Sequence, residues 1–93
     1  MDHTLAVGRI VQYSFINGHR ERVVRPAIIV RVWNKGTYGG TVQLQVFTDG
    51  SNDGDEFKAG VVWRTSQQHR DDVPNRGDNS VYWYWPDEET VAV

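Results

Sequence analysis

The sequence predicts an all-β domain, built as a small antiparallel barrel or a curled sheet. Three observations point there. Helical periodicity is almost absent. Apolar and polar residues alternate in short runs rich in Val, Ile, Thr, Trp and Tyr. Gly, Asn, Asp and Pro separate those runs.

Five strands follow in order. The first runs from Gly8 to Ser14. Asn17-Gly18 after it signals a hairpin turn, because both residues tolerate positive φ. The second strand includes Pro26 to Trp33, and Pro26, lacking an N–H, is expected at its start or on an edge. Strict alternation puts Ile28, Val30 and Val32 on one face and Ile29, Arg31 and Trp33 on the other. After the glycine-rich stretch Asn34 to Gly40 comes the third strand, Thr41 to Thr48, with Val42, Leu44 and Val46 opposite Gln43 and Gln45. The fourth, Gly60 to Ser66, sets Val61, Trp63 and Thr65 opposite Val62 and Arg64. A polar loop covers Gln67 to Asn79, and the fifth strand, Ser80 to Trp85, stops at Pro86. Residues 86–93 read as a loose acidic tail. Strands this short, joined by hairpin-length and medium loops, fit an SH3-like arrangement, and closure would remove exposed edges. The expected core is Val42, Leu44 and Val46 with Ile28, Val30 and Val32.

The 93 residues make a single domain, 1–93, with a modest core. No run approaches the length that spans a bilayer, and no basic leader precedes an apolar segment, so a membrane location is not expected. The absence of cysteine excludes disulfides and thiolate metal sites and favours a cytoplasmic setting. A net charge of −2 argues against binding long nucleic acid. Residues 1–48 carry six basic and two acidic side chains, whereas residues 49–93 carry four and ten, an asymmetry that predicts a positive face and a negative rim.

Motifs for catalysis and cofactors are missing. Asp49-Gly-Ser51-Asn52-Asp53-Gly54 resembles the first half of a calcium loop, but its twelfth position is Gly60 rather than a bidentate carboxylate. His3, His19 and His69 are not spaced as zinc ligands. His69 with Asp71 or Asp72 offers acid–base groups without a nucleophile beside them. Gly36 to Gly40 lacks the strand–loop–helix context of a phosphate loop. No cofactor and no metal are therefore expected.

The aromatic residues carry more. Tyr82, Trp83, Tyr84 and Trp85 are consecutive, so on a strand they face both sides of the sheet. One pair is expected in the core and the other against solvent, a ligand or a partner copy, which makes a homo-oligomer the expected assembly. Arg9, Arg31 and Arg64 lie inside strands. A guanidinium beside aromatic rings suits a ligand with a phosphate and a base, since one pairs charge and the other stacks. The candidate site is Arg31, Trp33, Trp63, Arg64 and Tyr82 to Trp85, with Asp49, Ser51, Asn52 and Asp53 placed to read base or ribose edges.

The stretches Gly8 to Tyr13, Arg25 to Trp33, Val42 to Gly54 and Val62 to Ser66 resemble a family of small phage-encoded β-rich proteins, over most of residues 8–66. Trp83-Tyr-Trp-Pro86 is similar to the segment with which those relatives end, whereas Gln67 to Asn79 does not match. The family supplies no binding residues to carry over. The resemblance implies a context, because phages use small oligomeric β-rich proteins as sponges for nucleotide immune signals of the host. The expected function is non-enzymatic sequestration of a small anionic nucleotide in the host cytoplasm. Two other readings stand beside it: an SH3-like module that binds protein or nucleic acid, and a small hydrolase using a metal at the acidic loop.

Overall fold

The computed structural model describes residues 3–49 and 60–88. Five strands form one antiparallel sheet: β1 (Ile10–Ile16), β2 (Arg22–Asn34), β3 (Thr41–Phe47), β4 (Val61–Gln68) and β5 (Tyr82–Tyr84). Their order is β4-β3-β2-β1-β5. Two short 3-10 helices, Arg70–Asp72 and Pro86–Glu88, flank β5. Among the described residues no helix is long and apolar enough to cross a membrane.

The sheet curls without closing into a barrel, so of the two expected forms the curled sheet is the one observed. Among the described residues the β5 ladder is with β1 alone, through Gln12, Tyr13 and Ser14. A single parallel bridge from His69 to Trp83 links the end of β4 to β5.

The β1–β2 turn is longer than Asn17-Gly18 alone predicts. The Asn17 side-chain oxygen accepts the backbone N–H of His19 at 2.8 Å and of Glu21 at 3.0 Å. The left-handed residue is Arg20, with φ of 61°, rather than Gly18. Pro26 lies inside β2, opposite Gln12. Pairing between β2 and β3 begins only at Ala27, so on that flank Pro26 sits past the end of the ladder, where a missing N–H costs nothing.

Val11, Tyr13 and Phe15 of β1, Val42, Leu44 and Val46 of β3, and Trp83 and Trp85 build the core. The contribution of β2 differs from the alternation expected. Ala27 and Ile29 are fully buried, whereas Ile28 and Val30 are half-buried. Ile29 faces Leu44 and Arg31 faces Gln43, so Val30 is an extra residue in the ladder. A bulge of one residue reverses which side chains face inward. Beyond it Val32 lies opposite Val42 and packs against the core, and Arg31 is turned to the outer face. Ile29 therefore does not share a face with Arg31 and Trp33.

Candidate functional site

The bulge in β2 assembles the most conspicuous surface of the molecule. Ile10 lies opposite Ile28, Ile28 opposite Gln45, and Gln45 opposite Trp63, a row that crosses four strands on the face away from the core. Next to it the Arg31 guanidinium lies 4.2 Å from the centre of the Trp33 ring. A second irregularity in the ladder makes Trp33 an extra residue in its turn. Its indole N–H reaches across β3 and donates to the Thr65 hydroxyl at 3.1 Å. Trp33 is 46% exposed and Trp63 57%. A shallow hollow of about 560 Å³ follows Val61 to Thr65 along β4. The arrangement offers flat apolar faces for stacking and one cation held beside them; the Arg31–Trp33 pair itself contributes about 0.5–1 kcal/mol at an exposed site.

Arg64 does not join this face. Its ladder partner is Leu44, it is half-buried, and its guanidinium donates to the carbonyl of Trp63 at 3.0 Å. Asp49 lies 3.9 Å from Arg25. Ser51, Asn52 and Asp53 lie outside the described residues, as does the rest of the acidic loop.

The four-aromatic run is covered on both sides by this chain. Trp83 and Trp85 are buried and meet edge-on, with centroids 5.2 Å apart. His3 stacks on Trp85 at 5.0 Å. Tyr82 and Tyr84 turn the other way, and arginines lie over them: Arg22 at 5.1 Å and Arg76 at 5.8 Å from Tyr82, and Arg70 at 4.9 Å from Tyr84. Guanidiniums from β2 and from the loop before β5 thus supply the second layer for which a partner copy was expected.

His69 sits at the junction of β4 and β5, fully buried and edge-on to Trp83. Its Nδ1 accepts the Asp71 backbone N–H at 3.1 Å, so the ring proton is on Nε2, which donates to Glu88 at 2.8 Å. The same Glu88 oxygen accepts the Trp85 backbone N–H at 2.8 Å. Residues 86–88, read from sequence as the start of a loose tail, are thereby anchored, and Asp87 also meets His3 at 2.7 Å. His69, Asp71 and Glu88 place ligand atoms within 4.8 Å of one another. Both His69 nitrogens and the bonded Glu88 oxygen are already engaged, and Asp71 pairs with Arg76 at 3.2 Å, so a metal would have to break this network.

Asp72 is the other polar anchor. One carboxylate oxygen accepts the N–H groups of Thr37 and Tyr38, and the other those of Gly39 and Gly40, at 2.7–3.1 Å. The glycine-rich loop is thus an anion-binding nest filled by the chain's own carboxylate. Burial pushes the Asp72 carboxyl up, but the four N–H donors, led by Gly40, outweigh it and hold the group below its ordinary value. The sequence singles out His69 with Asp71 or Asp72 as an acid–base pair, yet the carboxylate bonded to the imidazole is that of Glu88, 19 residues away. No local pattern connects the two, and only the fold brings them together.

Comparison with protein-family models, with curated proteins and with solved structures finds no match.

Proposed function

We propose that this is a non-catalytic binding protein that takes a small anionic nucleotide on the outer face of the sheet, between the Arg31–Trp33 pair and Trp63. The observation that carries the reading is the Arg31 guanidinium held 4.2 Å over an indole that is itself tied to Thr65. A cation fixed beside two half-exposed tryptophans recognises a phosphate and a base together, because the guanidinium pairs charge while a ring stacks. Against a role for His69 as a general base, both of its ring nitrogens are engaged, by Glu88 and by the Asp71 backbone. Phe47 and Val61, opposed and exposed next to Trp63, offer a second copy an apolar patch to cover, so a homo-oligomer belongs to this reading. The resemblance to phage proteins supplies its setting, sequestration of a nucleotide immune signal in the host cytoplasm.

A second reading, an SH3-like interaction module, is favoured by a different observation. The order β5-β1-β2-β3-β4, the long kinked β2 and the 3-10 helix in the connection from β4 to β5 fit SH3-like connectivity.

The experiment is incubation of the protein with linear and cyclic nucleotides, followed by heat release and chromatography. Recovery of an intact nucleotide supports the sponge. Conversion of the nucleotide identifies an enzyme instead, and no uptake leaves the interaction module.

A further inference from the structure

At the far end of β2 from Trp33, the β1–β2 turn and the loop before β5 enclose a cleft of about 460 Å³ whose lining includes Arg20, Arg22, Arg76, Gly77, Asp78 and Tyr82. The geometry points to a phosphate-binding site in this cleft, separate from the outer-face site and independent of the nucleotide reading.

Arg22 is fixed entirely by neutral acceptors. It donates to the Ser14 hydroxyl at 2.6 Å and to the carbonyls of Asp78 at 2.7 Å and Ser80 at 2.9 Å, with its guanidinium over the Tyr82 ring. Those bonds hold its orientation without cancelling its charge. Arg76 covers the same ring and is held by the Arg70 carbonyl at 2.9 Å and by Asp71. Arg20 completes the set from the turn. Its backbone is left-handed, its side chain is exposed and it lines the cleft, and its guanidinium has no ion-pair partner among the described residues. Three guanidiniums therefore belong to the cleft, against the lining carboxylate Asp78 and the Asp71 carboxylate that pairs with Arg76, so Arg20 and Arg22 carry the charge left over. Two of the three are held in place before any ligand arrives, which lowers the ordering cost of binding. Planar guanidiniums with donors still free match the several oxygens of a phosphate group carried by a small molecule.

The test is a titration of the full chain with inorganic phosphate at constant ionic strength, followed by amide NMR shifts, with adenosine monophosphate as a second arm and chloride as the control. Saturable shifts at Gly77, Asp78 and Arg22 are expected. Arg20→Asn, which removes the charge but tolerates the left-handed backbone, should weaken binding by about 10-fold, the lower end for a charged hydrogen bond. Asp78→Asn should tighten it. Equal affinity for both ligands means that the phosphate alone is read, and tighter binding of the nucleotide means that its nucleoside adds contacts; either supports the site. No saturable shift, or shifts that both variants leave unchanged, overturns it. Trp33→Ala should not alter these shifts, so this site and the outer-face site stand or fall separately.

Discussion

The backbone N–H of Gly40 points at the carboxylate of Asp72, 2.7 Å from Oδ2. Three neighbouring N–H groups converge on the same carboxylate, so the loop before β3 is shaped around a half-buried negative charge. Asp72→Asn replaces one acceptor oxygen by an NH2 group that faces N–H donors. It should cost about 1.5–3 kcal/mol at neutral pH, the range for hydrogen bonds to charged groups. The sign of the pH dependence follows from the lowered folded pKa. The stabilisation is complete above the ordinary carboxylate value, about 4, and is lost as the pH falls through the depressed folded value. Urea unfolding of both proteins should show a gap that is constant near neutrality and narrows in acid. A gap that stays fixed down to pH 2 would mean that the charge on Asp72 is irrelevant.

Gly39 is constrained by space. A Cβ there would come within 2.3 Å of the His69 ring, and His69 is locked by Asp71 and Glu88. Gly39→Ala should therefore behave as an overpacked core and cost about 1–3 kcal/mol. For a domain of this size that lowers Tm by about 4–8 °C per kcal/mol. Gly18→Ala, with nothing within 4 Å of the added methyl, serves as the control in the same calorimetric series. Equal melting of the two variants would show that the loop yields.

Ile28 and Ile29 separate the alternation read from the sequence from the arrangement in the fold. Ile29→Ala and Leu44→Ala should each cost about 2–5 kcal/mol, as truncations of fully buried side chains do. Ile28→Ala, on the outer row, should cost well under half of that. Chemical denaturation of the three variants orders them directly, and a larger loss at Ile28 than at Ile29 would place the bulge elsewhere.

The β3 pattern was legible because Val42, Leu44 and Val46 keep strict alternation. In β2 four apolar residues run in succession, from Ala27 to Val30, so sequence alone does not locate the extra residue. Turn-forming residues marked the strands, but the Arg20 conformation and the Asn17 bonds depend on how long the turn becomes once the β1–β2 register is set. Arg31, Trp33 and Trp63 were legible as charged and aromatic strand residues, and the fold puts them on one surface. The Tyr82 to Trp85 run was misleading as an exposed patch because its arginine cover comes from distant positions, Arg22 and Arg76 among them.

Chelation should leave the protein unchanged. Among the described residues, the side chains whose spacing resembles a metal site, His69, Asp71 and Glu88, are already bonded to one another or to their neighbours. Melting in excess chelator should match melting without it, and a fall of many degrees would require a structural ion.

The outer-face site makes the sharpest demand. If Trp63 stacks a base, Trp63→Ala should lose about 1–3 kcal/mol of nucleotide affinity. Loss of a charge-assisted hydrogen bond in Arg31→Ala should cost about 1.5–3 kcal/mol, or about 10- to 150-fold. Both side chains are exposed and outside the core cluster, so both variants should melt close to the unmodified protein. Trp33→Ala is less clean, because it also removes the bond to Thr65 across β3. The informative result is therefore a pair of variants, at Arg31 and Trp63, that keep their melting temperature and lose the nucleotide. If both fold normally and retain it, the ligand does not lie on this face, and the arginine and tryptophans there serve an interface instead.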